Sequence, residues 1–313
     1  MNIKNSKKIV RRYSIEGVKR WIYATINSSL FLHQSALAVF FWINRYKVKF
    51  GYLLFRRISL FQIEIPVTTI CSLKCRDCSV RIPLIKTEYK KIMTFEEFKS
   101  DLDNILLNIS SLQYLRLLGG EPLLNKSLPD MVRYSLKSKK VKCVIITTNG
   151  TIIPSDELIE ALKTNVKKSK MVISNYSKNK ELDGRLKVKE IVDKCELNGI
   201  NVYYSNNFVW YKTTPVIFHN RTAKENRKYF LRCASDCVAA ANGKLFPCNR
   251  QGAFEMLGVF SPKEDIDFLS LKKPIEKRDY ARLFTSSDFE GCQYCDCYRE
   301  QKGEPILPAI QIK

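Results

Sequence analysis

From residue 61 onward, the hydrophobic pattern alternates between strand-like and helix-like segments. Residues 61–68 (FQIEIPVT) alternate apolar and polar side chains as a half-buried strand does. The segment 94–109 carries apolar residues at helical spacing, with Thr94 and Glu97 placed for a capping box. The same criteria predict further strands at 114–118, 142–147, 170–174 and 201–205, and further helices at 128–138, 155–163 and 186–198.

A regular alternation of strands and helices predicts an α/β fold with a parallel sheet. Right-handed crossovers then give a doubly wound sheet or a complete or partial barrel. In either architecture the functional side chains gather at the carboxyl ends of the strands. We therefore expect the chemistry in the segments that directly follow each predicted strand.

The alternation stops after about residue 207. Residues 239–246 predict a hairpin, because Asn242-Gly243 suits a type I′ turn. The region up to Cys297 has few strongly periodic segments, and we expect it to be rich in loops and poor in core. Six cysteines in this region offer an alternative source of stability through metal binding.

Residues 1–60 form a basic, aromatic-rich extension for which we expect helices. They contain twelve Lys and Arg and a single acid, Glu16. The most apolar stretch, 29–43, is 15 residues long, shorter than the roughly 20 that a spanning helix needs. A helix packed on the main domain is the simpler interpretation, and a surface helix that touches an anionic membrane is the alternative. Without a secretory signal, we expect a cytoplasmic protein that is either free or peripheral to the membrane.

Charge and residue counts narrow the chemistry further. The 313 residues carry a formal charge of +22, which indicates anionic partners and says little about the fold. Two histidines are too few for a His-based hydrolase or a multi-histidine metal site. Eleven cysteines, mostly at short spacings, predict reduced metal ligands and not a disulfide framework.

The strongest motif follows the first predicted strand directly. Cys71, Cys75 and Cys78 have the spacing CxxxCxxC, so one loop can bind three irons of a [4Fe–4S] cluster and leave the fourth iron open. An open iron is what a substrate or cofactor needs in order to coordinate the metal. A zinc knuckle is the alternative, but it requires a fourth ligand and more often uses paired CxxC motifs.

Two further motifs occur in order on the following strand ends: GGEP at 119–122 and TTNG at 147–150. Together with the cysteine motif, they make residues 61–206 resemble the radical SAM superfamily. The resemblance implies a partial (β/α)6 TIM-like barrel and S-adenosylmethionine (SAM) bound to the open iron. It places Gly119, Gly120 and Glu121 near the methionine moiety, and Ser174 and Asn175 near the ribose or carboxylate. Asp77 departs from the family, which often has an aromatic residue there.

A second cysteine group lies near the C-terminus and resembles the SPASM or shorter twitch extension that binds auxiliary clusters in this superfamily. Six cysteines exceed the four that one [4Fe–4S] cluster needs and fall short of the number that two fully ligated clusters need, so we expect one auxiliary cluster. Cys248, Cys292 and Cys295 are the predicted ligands, Cys233 or Cys237 is the fourth, and Cys297 is spare or an alternative ligand. A structural zinc site is the competing interpretation.

These features divide the chain into an extension (1–60), a barrel core (61–207), a connecting segment (208–232), a small Cys-rich auxiliary-cluster domain (233–300) and a tail (301–313).

The resemblance implies an oxidoreductase that forms a 5′-deoxyadenosyl radical and takes a hydrogen atom from a sugar or aminocyclitol alcohol, by dehydrogenation or epimerisation. A small-molecule or glycan-precursor substrate and an external low-potential donor of the flavodoxin or ferredoxin type are the expected partners. A maturase of ribosomal peptides is the alternative. A zinc-stabilised nucleic-acid-binding protein leaves the ordered motifs unexplained, so we expect no nucleic acid.

Overall fold

The computed structural model describes residues 30–205, 210–233, 238–300 and 303–312. Four βα units and a fifth strand form its centre, preceded by helix α1 (Leu30–Phe55). In chain order, the elements of these units are β1 (Ser59–Thr68), α2 (Phe95–Leu106), β2 (Ser111–Gly119), α3 (Leu128–Lys137), β3 (Val144–Thr148), α4 (Asp156–Lys163), β4 (Ser169–Ile173), α5 (Val188–Leu197) and β5 (Asn201–Tyr204).

The five strands lie side by side in the order β5-β4-β3-β2-β1, and every neighbouring pair is parallel. Successive parallel strands joined by helices are the arrangement of an open (β/α) barrel. The predicted α/β class with a parallel sheet is confirmed. Each predicted strand and helix of this region is present, with ends shifted by at most three residues.

Local sequence signals account for these elements. Thr94 caps α2: its hydroxyl accepts from the Glu97 N–H while the Glu97 carboxylate accepts from the Thr94 N–H, as the capping box requires. Along β1, Ile63, Ile65 and Val67 are buried in the main hydrophobic core. The intervening residues face the opposite side of the sheet, because side chains alternate along a strand.

The C-terminal region continues the same sheet. Strand β7 (Ala239–Ala241) pairs in parallel with β1, followed by antiparallel β8 (Lys244–Phe246) and β9 (Leu269–Ser270). The predicted hairpin at Asn242-Gly243 is present, and both residues have the positive φ of a type I′ turn. The remaining elements are β6 (Trp210–Tyr211) paired with β10 (Pro305–Ile306), and helices α6 (Ala223–Arg232), α7 (Asn249–Met256), α8 (Lys277–Thr285) and α9 (Cys297–Glu300).

The expectation that the C-terminal region is poor in core was wrong. Three helices of eight to ten residues lie there, and Tyr280, Leu283 and Phe289 belong to the main core of the barrel. The Tyr280 hydroxyl donates to the Ile105 carbonyl, which joins α8 to α2. These helices escaped detection because they are short, so their apolar faces span only two or three turns.

Helix α1 extends twelve residues beyond the apolar stretch noted in the sequence and packs against α8. Val48 is buried in the main core, and the Arg45 guanidinium donates to the Ser286 carbonyl at the end of α8. Residues 1–29, for which helices were also expected, lie outside the described residues. Within the described ranges, no helix is both long and apolar enough to cross a bilayer.

Candidate active site

The predicted cysteine loop follows β1, at the carboxyl edge of the sheet. Cys75 is buried and Cys71 and Cys78 are partly buried, and all three contact apolar side chains of the loops around them. Burial raises the pKa of the Cys71 thiol, and it raises that of Cys75 to about 12. The neighbouring thiols contribute to both increases in pKa. The three thiols therefore lie where water solvates their thiolate forms poorly. A bound cationic group would lower the free-energy cost of forming those thiolates.

Gly119 and Gly120 let the strand end of β2 contact the backbone that leads into the cysteine loop. A Cβ on Gly119 would lie 2.1 Å from the Thr68 carbonyl oxygen, and one on Gly120 would lie 2.1 Å from the Ile70 carbonyl oxygen. Hydrogen bonds from the Gly120 N–H to Thr68 and from the Glu121 N–H to Ile70 close this contact. The sequence predicted glycines for a close approach to SAM, and the structure shows a close approach to the chain's own backbone.

Replacing Gly120 by alanine is expected to destabilise the protein by about 3 kcal/mol or more, because the obstructing atoms are backbone and cannot turn aside. Thermal unfolding of the reconstituted protein measures the loss. Gly184→Ala is the matched control: its φ is +77° and nothing lies within 4 Å of an added Cβ. That variant is expected to lose only about 1 kcal/mol. Equal losses in the two variants would contradict the proposed contact.

Glu121 is fully buried and ties the GGEP strand end to the TTNG strand end. Its carboxylate accepts hydrogen bonds from the Thr148 hydroxyl at 2.8 Å and from the N–H groups of Asn149 at 2.7 Å and Leu123 at 3.1 Å. Burial nevertheless raises its pKa above the ordinary value. These bonds make Glu121 a positioning residue, while its contact with SAM remains a prediction.

Two side chains that sequence reasoning missed donate hydrogen bonds to the cysteine sulfurs. The Asn149 amide of the TTNG motif lies 3.6 Å from Cys71 Sγ and 3.0 Å from the Ser72 hydroxyl. The Gln311 amide lies 3.5 Å from Cys75 Sγ. The TTNG motif marked the region of Asn149, whereas no sequence signal pointed to Gln311.

The segment 303–312, predicted only as a tail, lies along the cysteine loop. Backbone hydrogen bonds join Arg76 to Ile310 and Ile312 to Lys74, and the Lys74 N–H donates to the Gln311 side-chain oxygen. The Asn179 amide holds this segment through the carbonyls of residues 308 and 309. The end of the chain is therefore part of the site.

The remaining predicted SAM contacts lie at the end of β4. Ser174 is bonded through its N–H to Thr148, and the Asn175 side-chain oxygen accepts from the N–H and hydroxyl of Ser177. Both residues are thus beside the TTNG strand end, and their contacts with SAM remain predictions. Asp77, the departure from the family pattern, is buried and accepts from Thr213 at 3.0 Å. It ties the cysteine loop to the segment after β6.

Five of the six C-terminal cysteines line one cavity. Its walls are formed by the ends of α6 and α7 and by the segment before α9. Cys237 lies outside the described residues. The lining residues are Tyr229, Phe230, Cys233, Cys248, Arg250, Gln251, Gly291, Cys292, Cys295 and Cys297. Cys297, which was expected to be either spare or an alternative ligand, lines the cavity with the others.

Polar contacts surround these sulfurs. The Gln251 amide lies 3.6 Å from Cys292 Sγ, and Arg250 lies 3.9 Å from Cys295 Sγ. The hydrogen bond with Cys233 and the charge of Arg250 hold the pKa of Cys297 at about 7, below its usual value, although burial opposes this. In the described part of the chain, no three Cys, His, Asp or Glu side chains lie close enough to hold a single metal ion.

A buried ion-pair chain connects the two cysteine groups. Glu300 accepts from Arg81 at 3.2 Å and from Arg250 at 2.7 Å, and the three side chains are at most 11% exposed. Arg81 also donates to the Cys78 carbonyl at 3.1 Å, and its own backbone takes the left-handed conformation with φ of 55°. We call Arg81, Glu300 and Arg250 the arginine bridge. It leads from the first cysteine loop to Cys295.

The residues of both sites suit iron–sulfur clusters in the chemistry of their donors. Thiols with hydrogen-bond donors aimed at sulfur are the ligand environment of such clusters. The first site offers three thiols, and the second offers at least five around one cavity. The first therefore suits a cluster with one open iron and the second a fully ligated cluster.

Comparisons with known proteins agree with the first site. Residues 65–173, from β1 to β4, match the family described as Radical SAM superfamily. A GTP 3′,8-cyclase of Syntrophomonas wolfei subsp. wolfei is 31% identical over 105 residues, 33% of this chain and 30% of the relative. The GTP 3′,8-cyclase of Clostridium acetobutylicum is 27% identical over 164 residues, 47% of this chain and 51% of the relative. The match spans about a third of the length of the first of these relatives and half of the second.

Two solved structures are also similar. BtrN in complex with AdoMet and 2-DOIA gives a TM-score of 0.47 at 13% identity, covering 79% of this chain and 89% of that one. Native anSMEcpe with bound AdoMet gives 0.44 at 15% identity, covering 78% of this chain and 88% of that one.

Proposed function

We propose that this protein, whose residues 65–173 match the radical SAM superfamily, is a two-cluster oxidoreductase that dehydrogenates a sugar- or aminocyclitol-type alcohol. The observation that carries the proposal is the second cavity, with five thiols joined to the first cysteine loop by the arginine bridge. Dehydrogenation removes two electrons from the substrate, and a second redox centre near the first would serve as the acceptor of the second electron.

Cys71, Cys75 and Cys78 would hold the first cluster, and Gly119, Gly120, Glu121, Ser174 and Asn175 are the proposed surroundings of SAM. When bound, the cluster and SAM supply the one-electron chemistry that yields a 5′-deoxyadenosyl radical. Asn149 and Gln311 orient the thiols and donate to their sulfurs. The segments 80–89 and 303–312 cover the loop with apolar side chains and backbone, which limits the access of water.

Cys233, Cys248, Cys292, Cys295 and Cys297 line the proposed auxiliary site, with Cys237 as a further candidate. Four of them suffice for one [4Fe–4S] cluster. Arg250 places a positive charge beside Cys295 and Cys297, and this charge favours their thiolate forms. An external low-potential donor of the flavodoxin or ferredoxin type is the proposed source of the first electron.

The face of the sheet opposite to the main core carries polar side chains, which favours a polar substrate. Glu64 on β1 accepts from Asn249 at 2.9 Å and lies 3.8 Å from Arg116, whose guanidinium donates to the Thr147 hydroxyl at 3.1 Å. Hydrogen-bonding groups at this face suit a polyhydroxylated molecule better than an apolar one. The substrate would lose its carbinol hydrogen atom, then one electron and the hydroxyl proton, and become a ketone.

An epimerase and a peptide maturase are the competing members of this reaction class. An epimerase returns a hydrogen atom to the substrate carbon from a thiol and needs no net electron acceptor. A maturase acts on a peptide, and its turnover requires that peptide. The proposed dehydrogenase is distinguished from the epimerase by the net oxidation of its substrate and from the maturase by the small size of that substrate.

The test is turnover of the anaerobically reconstituted full chain with SAM, a low-potential reductant and alcohols deuterated at the carbinol carbon. The proposal expects deuterium in 5′-deoxyadenosine together with an equal amount of ketone. Deuterium transfer with inverted alcohol and no ketone would favour the epimerase. A chain that cleaves SAM and oxidises none of a broad panel of sugars and aminocyclitols, but modifies a precursor peptide, would contradict the proposed substrate.

Gln311→Ala is expected to make the reduction potential of the first cluster more negative. An N–H donor to a cysteine sulfur stabilises the more negative, reduced form, so losing it by this substitution favours the oxidised form. A redox titration followed by electron paramagnetic resonance measures the shift, which is about 40 mV for a one-electron couple that loses a hydrogen bond of roughly 1 kcal/mol. Gln293→Ala is the control, since that amide donates to the Arg221 carbonyl and not to a sulfur of the first loop. An unchanged potential in Gln311→Ala would contradict the role assigned to this residue.

A further inference from the structure

The outward face of helix α1 carries a continuous apolar stripe. Val39, Ile43, Tyr46, Phe50 and Leu53 are between 38% and 57% exposed. Their spacing of four, three, four and three residues places them on one side of the helix. Leu54 and Phe55 extend the stripe at the C-terminal end of α1, and both are exposed. Contiguous exposed apolar surface of this kind marks an interaction site.

The other side of α1 is already used by the fold. Val48 is buried in the main core, Tyr52 packs against that core, and Arg45 is bonded to the end of α8. The stripe is therefore not the side by which α1 attaches to the barrel. The helix packed on the main domain, which the sequence predicted, therefore accounts for one side of α1 only. The exposed apolar side needs a separate explanation.

The charges along α1 are all positive. Its 26 residues contain Arg45, Lys47 and Lys49 and no Asp or Glu, and Arg56 and Arg57 follow directly. Lys47, Lys49, Arg56 and Arg57 are exposed, so the apolar stripe is accompanied by cations. An apolar side combined with basic residues is the composition of helices that lie in the interface of an anionic bilayer.

We propose that α1 docks this protein on an anionic lipid surface, with the stripe from Val39 to Leu53 in the interface and the flanking Lys and Arg on the lipid headgroups. The heptad-like spacing also suits a second copy of the chain. A second copy would bring an equally basic helix, however, and like charges repel at close range. The charge of α1 therefore favours a negatively charged partner.

The position of α1 keeps the catalytic edge of the barrel accessible in this orientation. Asn44, Lys47 and Val48 line a cleft with Ser59 and Ser111, the first residues of β1 and β2. Helix α1 thus lies at the amino edge of the sheet, whereas the cysteine loop follows the carboxyl end of β1. A membrane bound by the stripe would leave the opening of the site directed away from it.

The test is co-sedimentation of the reconstituted full chain with vesicles of phosphatidylcholine alone or mixed with phosphatidylglycerol. We expect binding at least about tenfold stronger to the anionic vesicles, and a decline as salt is added. The double variant Phe50→Ser with Leu53→Ser is expected to lose about tenfold in binding. Leu197→Ser is the matched control, because Leu197 is 87% exposed on α5 and lies outside the stripe. Circular dichroism and SAM cleavage verify that each variant is folded.

Equal binding of the wild type and the double variant would overturn the proposal, as would binding that does not depend on lipid charge. A wild type that ignores vesicles but forms a dimer in light scattering, lost in the double variant, would assign the stripe to a second copy. None of these outcomes depends on alcohol oxidation. The docking proposal and the proposed function can therefore fail separately.

Discussion

Simultaneous replacement of Cys71, Cys75 and Cys78 by alanine is expected to abolish the formation of 5′-deoxyadenosine. The three thiols are the complete protein donor set of the first loop, so the variant keeps no ligand for a cluster there. The C-terminal cysteines are unaltered, and the iron content should therefore fall by half, from about eight to about four per chain. Iron analysis and chromatography of the SAM cleavage products measure both effects.

The double variant Cys143→Ala with Cys195→Ala is the matched control. These two cysteines are also buried, but they lie before β3 and in α5, and Cys195 contacts Met171 in the core. We expect unchanged iron and SAM cleavage, with a loss of stability of about 1–2 kcal/mol. Residual SAM cleavage in the triple variant, or an equal loss of iron in the control, would contradict the assignment of the first site.

Glu300→Gln is expected to destabilise the reconstituted protein by about 3–5 kcal/mol. The carboxylate is the shared partner of Arg81 and Arg250, and an amide would remove the carboxylate counter-charge that these two buried guanidinium groups share. The Thr214 N–H and hydroxyl, each 2.9 Å from the carboxylate, also lose a charged acceptor. Loosening this bridge acts on both cysteine groups, and we expect reduced iron retention together with the lower unfolding temperature.

Asp193→Asn is the control for the removal of one carboxylate. Asp193 pairs with Lys189 on the exposed surface of α5, where solvent screening leaves an ion pair with little effect on stability. Thermal unfolding followed by the colour of the clusters compares the two variants. An unfolding temperature of Glu300→Gln equal to that of Asp193→Asn would show that the bridge does not hold the sites together.

The order of elements in the barrel could be predicted from the sequence because each signal is local. Apolar periodicity located the strands and helices, and Thr94 and Ser155 marked helix starts through hydroxyls that cap N–H groups three residues away. The cysteine loop was predictable for the same reason, since its three ligands lie within eight residues. The C-terminal helices were missed because their apolar faces are short, and the apolar face of α8 is explained only by its packing against α2 and α1.

The partners of the cysteine loop could not be predicted, because they come from distant parts of the chain. Gln311 is 236 positions from Cys75, and Glu300 is 219 from Arg81. No pattern in the sequence relates such pairs, and only the packing of segment 303–312 and helix α9 brings them together. The same holds for Cys297, whose place at the cavity depends on where α9 begins.

Iron, acid-labile sulfide and zinc per chain after anaerobic reconstitution test the two-cluster account most directly. We expect about eight irons with equal sulfide and no zinc, as two [4Fe–4S] clusters require. About four irons, with zinc bound by the C-terminal cysteines, would contradict it and leave the second electron without an acceptor in the chain.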